Sequence, residues 1–193
     1  MAATYAVTRE LQSLLRNPST GARDRWRAWS EELMRPGRLT PALLASVWAE
    51  VLDFDPALSR YIKSPIPIQN KAIIVAASGK ETFKTFNIST AASLLAASTG
   101  VPVIKGVSSS VSAVSGAADV LDSLGIPIES QPATIPDAVE SDGIAFISYA
   151  AFCPTYAGRY DGVFPVLSPF SFFMPAAVLA VEASRFLFGL GRV

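Results

Sequence analysis

Apolar residues recur at the helical period through the first quarter of the chain and then in short unbroken runs. Leu11, Leu14 and Leu15 share one helix face, and Pro18-Ser19-Thr20-Gly21 interrupts that helix. Trp26, Trp29, Leu33 and Met34 repeat the spacing in a second helix that Pro36-Gly37 ends. Thr40-Pro41 predicts a third start, with the threonine hydroxyl as N-cap and the proline at the first helical position. The buried stripe of this third helix is Leu43, Leu44, Val47, Trp48 and Val51. Residues 54–70 contain three prolines and read as a connector.

The texture changes at Lys71. Ala72-Ile73-Ile74-Val75-Ala76 is an apolar run of strand length, and after a loop Ser89 to Ser98 reads as an Ala/Leu-rich helix. Val101-Pro102-Val103-Ile104 predicts a second strand, Ser115 to Leu124 a helix closed by Gly125, and Ile144-Ala145-Phe146-Ile147 a third strand. Strands alternating with helices predict a parallel sheet, so the fold class is α/β: a helical subdomain at 1–53, a connector at 54–70 and a truncated parallel α/β domain at 71–193. Ligands of such sheets sit beyond the carboxyl ends of the strands, where the loops 77–90 and 105–115 should meet. Residues Val163 to Val181 carry no charge, but Pro165, Pro169 and Pro175 argue against a regular membrane-spanning helix. They read as a core segment or a subunit interface.

Composition narrows the chemistry. Half of the 193 residues are hydrophobic and 17% are charged, enough to bury a core and too apolar for disorder. Net charge is zero, yet thirteen basic residues face eight acidic ones up to Lys105, and three face eight after it. Two solvated faces of opposite sign, or an anion-friendly cleft in the first half, both fit. No histidine is present, which removes the commonest general base and metal ligand. The lone Cys153 rules out an internal disulfide and a Cys-rich zinc site; it is a small core residue or a nucleophile, and a reducing cytoplasm suits it. Arg23-Asp24-Arg25-Trp26-Arg27 reads as a solvated helix face rather than a nucleic-acid stripe.

Asn87 to Thr90 open a helix, and helix-start amides with Ser and Thr hydroxyls form an anion site or an ordinary N-cap. Lys80, Lys84 and Lys105 add positive charge nearby.

Several segments in order resemble the anthranilate phosphoribosyltransferase family and its nucleoside-phosphorylase relatives. Glu32-Leu33-Met34 through Gly37 to Ala45 is similar to the family's second-to-third helix junction. Thr85-Phe86-Asn87-Ile88-Ser89-Thr90 is similar to its Ser-Phe-Asn-Ile-Ser-Thr segment. Val103-Ile104-Lys105, Ser110-Val111-Ser112 and Ser115 to Leu121 are similar to its Lys-His-Gly-Asn-Arg-Ser-Val-Ser loop and following helix. The resemblance implies a small helical domain on an α/β domain of this type, often dimeric through the helices. It also implies a phosphate grip on Asn87, Ser89, Thr90 and Lys105, with Ser112 more weakly. The family's Gly-Thr-Gly-Gly-Asp falls on Ala77-Ser78-Gly79-Lys80-Glu81, where only Gly79 keeps the glycine that lets a diphosphate approach the backbone. Gly106-Val107-Ser108-Ser109 replaces His-Gly-Asn-Arg, and Ala151-Phe152-Cys153-Pro154 replaces a histidine-bearing acceptor loop. The family's acidic pair that holds magnesium lies in a portion this chain does not match. Without a metal, the departure of diphosphate loses transition-state stabilisation.

The reading is therefore a repurposed phosphoribosyltransferase-like enzyme acting on an apolar or aromatic small molecule, by cyclisation, elimination or condensation in specialised metabolism. Lys80, Glu81 and Lys105 are the catalytic candidates. Lys84, Thr85, Asn87, Ser89, Thr90, Ser108, Ser112, Tyr149, Cys153, Tyr156 and Arg159 are the binding candidates, with Phe83, Phe86, Phe152 and Tyr160 as further aromatic lining. No metal, cofactor, nucleic acid or membrane is expected. A homodimer is, with a partner subunit as an option. Phosphoribosyl or other glycosyl transfer, and a non-catalytic binding or assembly role, are the alternatives.

Overall fold

A computed structural model describes residues 2–17, 19–69, 71–77, 87–109, 116–160 and 172–189. Three helices open it: α1 (Ala2–Arg16), α2 (Thr20–Leu33) and α3 (Pro41–Phe54). Ser19 caps α2 by accepting from the Ala22 amide, so Thr20 and Gly21 are helical rather than part of the break. Thr40 caps α3 through the Leu43 amide, with Pro41 in the first turn, as the sequence predicts. Val47 and Val51 are fully buried, Leu43 and Trp48 half-buried, and Leu44 is exposed.

The stretch expected as a connector contains a helix, α4 (Pro56–Lys63). Asp55 accepts from the Leu58 amide and Pro56 presets the backbone angle, so the proline starts an element here rather than breaking one.

The sheet has four parallel strands in the order β3-β2-β1-β4: β1 (Ile73–Ala77), β2 (Val103–Val107), β3 (Ile144–Ser148) and β4 (Arg185–Gly189). The second strand begins later than its apolar run. Val101 and Pro102 precede it, because Pro102 lacks an N–H and contributes only its carbonyl, to the Ile73 amide at 2.9 Å. The strand gains Lys105-Gly106-Val107 instead, and all five of its residues are buried. β4 forms a fully exposed edge, with Phe186, Leu187 and Phe188 open to solvent.

Alternation sorts the two faces. Ile74, Ala76, Ile104, Ala145 and Ile147 join the main core. The helix α7 (Ile135–Asp142) adds Ile135 and Val139 to that face. The short helices α8 (Tyr149–Phe152), α9 (Pro154–Tyr160) and α10 (Phe173–Ala176), with a 3-10 turn at Ala177–Ala180, join it to the N-terminal helices. On the other face Val107 and Phe146 pack on Leu121 of α6 (Ala117–Ser123). The helix α5 (Ile88–Ser98) follows β1 and covers β1 and β2, on the face opposite the main core as a right-handed crossover demands.

Of the uncharged tail at 163–181, residues 163–171 lie outside the described residues. In the rest, Phe173, Pro175, Ala177, Val178, Ala180 and Val181 are buried, while Leu179 is exposed. Among the described residues no helix is long and apolar enough to cross a membrane.

Candidate functional site

The strand order places a switch point at β1. The connection leaving β1 runs through α5 to β2 on one side, and the chain returns through α8–α10 on the opposite face to β4 on the other. In open α/β sheets a crevice forms at the carboxyl ends of strands where crossovers diverge in this way. The described groups at that edge are Ala77, the end of β2 with Ser108 and Ser109 after it, Ser148–Tyr149 and the head of α5.

At the head of α5 the Asn87 side chain makes no capping bond, and the Thr90 and Ala91 amides make the first bonds, both to the Asn87 carbonyl. The Ile88 and Ser89 amides therefore lead the helix. Ser89 is half-buried. Thr90 is only 6% exposed, and its Oγ1 has no hydrogen-bond partner. A buried hydroxyl left this way costs about 1–3 kcal/mol.

Lys105 lies in the middle of β2 on the α5/α6 face, 2% exposed, and its Nζ donates to the Gly106 carbonyl at 2.6 Å. Ser108 follows β2 half-buried, its carbonyl accepting from the Ala118 amide at 3.2 Å. Tyr149 is buried, and its hydroxyl accepts from the Ala77 amide at 3.0 Å. Burial pushes that hydroxyl's pKa well above the ordinary range, so the phenol stays neutral. Lys80, Glu81, Lys84, Thr85 and Ser112, with Phe83 and Phe86, lie outside the described residues.

The remaining candidates sit elsewhere. Cys153 is fully buried, its thiol donating to the Tyr149 carbonyl at 3.3 Å and touching the Met174 sulfur at 4.0 Å. Burial, with the Asp55 carboxyl adding to it, pushes the thiol up to about 12. Tyr156 is fully buried in a ring cluster, stacked on Tyr160 and edge-on to Trp26. Burial comes first, with Tyr160 and Cys153 following, in raising its hydroxyl's pKa well above 10. Phe152 meets Tyr61 edge-on in the same interior. Arg159 is half-buried on α9, whose neighbours are α3 and α4 rather than the strand ends. The aromatic residues after β3 thus join the helical layer to the sheet.

Sequence reasoning missed Asp55. Its carboxyl, fully buried, accepts from the Leu58 amide at 3.1 Å and the Tyr156 amide at 2.8 Å, capping the starts of α4 and α9 together. Asp-Pro before a helical run was the available signal for the first of these bonds; nothing local signalled the second. Among the described residues, five of the thirteen basic residues of the first half form exposed ion pairs: Arg16–Asp53, Arg25–Glu10, Arg27–Asp24, and Glu32 with Arg35 and Arg38. Among the described residues no group of three or more His, Cys, Asp or Glu gathers as a metal site.

Residues 70–167 match the family model described as glycosyl transferase family, a/b domain. The chain is 34% identical over 120 residues to the anthranilate phosphoribosyltransferase of Halorubrum lacusprofundi, covering 61% of this chain and 33% of that protein. It is 33% identical over 137 residues to that of Saccharopolyspora erythraea, covering 66% and 39%. Among solved structures, the anthranilate phosphoribosyltransferase of Thermus thermophilus aligns with 97% of this chain and 53% of its own, with a TM-score of 0.68 and 22% identity. The Saccharomyces cerevisiae enzyme, solved with PRPP and Mg, aligns over 98% and 58% with a TM-score of 0.55 and 16% identity. The matched part spans 33% and 39% of those two curated relatives, and a little over half of the solved chains.

Proposed function

The chain belongs to the glycosyl transferase family with the a/b domain, and from that premise we propose that the head of α5 holds the phosphate of a phosphorylated small molecule. The observation that carries this is the Thr90 hydroxyl, buried and unpartnered at a helix start whose side-chain cap is missing. An anion there takes a hydrogen bond from Thr90 and meets the positive end of the helix, with the leading amides of Ile88 and Ser89 beside it. Asn87, Ser89 and Lys105 complete the grip, and a phosphorylated sugar, the class of the PRPP in the Saccharomyces cerevisiae complex, is the chemical class it fits.

The chemistry beyond that grip is acid–base rather than diphosphate departure. Lys105, with Lys80 and Glu81 from the segment that follows Ala77 in sequence, acts on the apolar or aromatic part of the ligand in a cyclisation, elimination or condensation of specialised metabolism. The substitution of Ala77-Ser78-Gly79-Lys80-Glu81 for a glycine-rich loop supports this finer reading.

Calorimetry of the whole chain tests both levels. Inorganic phosphate or ribose 5-phosphate should bind, and Thr90→Val should weaken binding about tenfold through the lost charge-assisted bond. No binding of either ligand would sink the phosphate site. Turnover of phosphoribosyl diphosphate with magnesium would replace the acid–base reading with glycosyl transfer, and binding without any turnover would leave a non-catalytic role.

A further inference from the structure

We propose that Tyr149 determines the specificity of the crevice: its side chain occupies the ligand position between the carboxyl ends of β1 and β2, and so restricts the edge to a single anionic group. The sheet itself marks the place. The β2–β3 register runs on to Val107↔Ser148 and the β1–β4 register to Ala77↔Gly189, but β1 and β2 pair only as far as Val75↔Lys105. The two strands part at their carboxyl ends, on the β2 side of the switch point at β1 and on the sheet edge that carries ligands in α/β folds.

Tyr149 fills that gap from the side of the main core. Its hydroxyl accepts from the Ala77 amide at 3.0 Å and lies 3.4 Å from the Ala77 carbonyl, toward which it can donate. It therefore satisfies both backbone groups that a continuing β2 would have paired. Its ring lies where Gly106 has no side chain, since a Cβ there would come within 2.1 Å of Cε1 and 2.8 Å of Cζ. Gly106 in the interior of a strand is thus explained by close approach of the ring. The phenol is 3% exposed, and burial keeps it protonated. The Ala77 amide is the last of β1, on the side that faces β2, and Tyr149 holds the hydrogen bond that an anion would take.

The inference rests on the reading that α5 holds one phosphate, because it concerns what lies beyond that phosphate along the same edge. A ligand with a second anionic group has to displace a neutral, fully packed phenol to reach the Ala77 amide.

Calorimetry of the whole chain with inorganic phosphate and with pyrophosphate, on wild type, Tyr149→Phe and Tyr149→Ala, decides it. Wild type should bind pyrophosphate no better than phosphate. Tyr149→Ala should shift the affinity ratio toward pyrophosphate by about tenfold or more, the scale of a freed backbone N–H bonding to an anion. Tyr149→Phe should shift it by less than about threefold, because the ring remains. An unchanged ratio in Tyr149→Ala, with phosphate bound as before, overturns the proposal. If that variant does not melt cooperatively, Tyr149→Leu, which keeps bulk but removes the hydroxyl and the far edge of the ring, is read by the same ratio. Should wild type bind no phosphate, the α5 reading fails alone: pyrophosphate binding gained by the Ala or Leu variant still supports the wedge, and none in either overturns it.

Discussion

Two regions of this molecule bury polar groups, and they do so in opposite ways. At the junction between helices and sheet, the Asp55 carboxyl is fully buried and spends its oxygens on two backbone amides, one of them 101 residues further along the chain. At the carboxyl edge of the sheet, the Thr90 hydroxyl is buried and bonds to nothing. A satisfied buried group ties a fold together; an unsatisfied one is costly and calls for a reason, such as strain, a bound ion or water, or a functional role. Tyr149 lies on the second side of this contrast but behaves like the first, since it takes the Ala77 amide that the edge would otherwise offer.

The contrast breaks most severely at Asp55. Asp55→Ala strips the caps from α4 and α9 and leaves two buried amides unpaired, with an expected loss of about 3 kcal/mol in urea unfolding; Asp55→Asn, which keeps one oxygen, should lose about half as much. A loss under about 1 kcal/mol for the alanine variant would mean that water takes over both caps.

Next comes the packed side of the carboxyl edge. Gly106→Ala drives a methyl into the Tyr149 ring and should cost about 2 kcal/mol, most of it recovered in the Gly106→Ala/Tyr149→Ala pair relative to the sum of the single changes. Additive losses in that double-mutant cycle would show that the two positions do not meet.

Alkaline pH probes the junction again. Burial raises the Cys153 thiol from its ordinary 9.0 to about 12. The unfolded chain therefore gives up this proton first, and the stabilisation present below pH 9 is lost as pH rises toward 12. Cys153→Ala should make the fall in melting temperature across that window shallower, and an unchanged slope would show that the thiol does not contribute to it.

The smallest effect should appear at Thr90, and its sign is the informative part. Thr90→Val removes a buried hydroxyl that has no partner, so the ligand-free chain should gain up to about 1 kcal/mol while phosphate affinity falls. A loss of stability would place the hydroxyl with the satisfied groups and end the contrast.

Much of the frame was legible along the chain. Thr40-Pro41, Pro36-Gly37 and the tryptophan spacing each report a local event, a cap, a stop or a buried face, and each has the expected place. The apolar runs at 72–76 and 144–147 became β1 and β3 within a residue, and four parallel strands bear out the α/β class. What failed to read did so for non-local reasons. The strand at Arg185–Gly189 is an exposed edge whose partner is more than a hundred residues earlier, so neither burial nor alternation marks it. The aromatic residues after β3 look alike in sequence, yet Tyr149 reaches the strand ends while Phe152, Tyr156 and Tyr160 point into the junction.

The order of residues alone determined α1–α3, α5 and α6, the Thr40 cap, the parallel alternation and the position of Asn87–Thr90 at a helix head, because hydrophobic period and cap chemistry act within a few residues. Only the tertiary structure decided which polar groups are paired. That Asp55 joins two helices, that Thr90 is left without a partner and that Tyr149 fills the gap beside Gly106 all depend on segments brought together by the sheet order, and burial without pairing is a property of the packed chain rather than of any stretch of it.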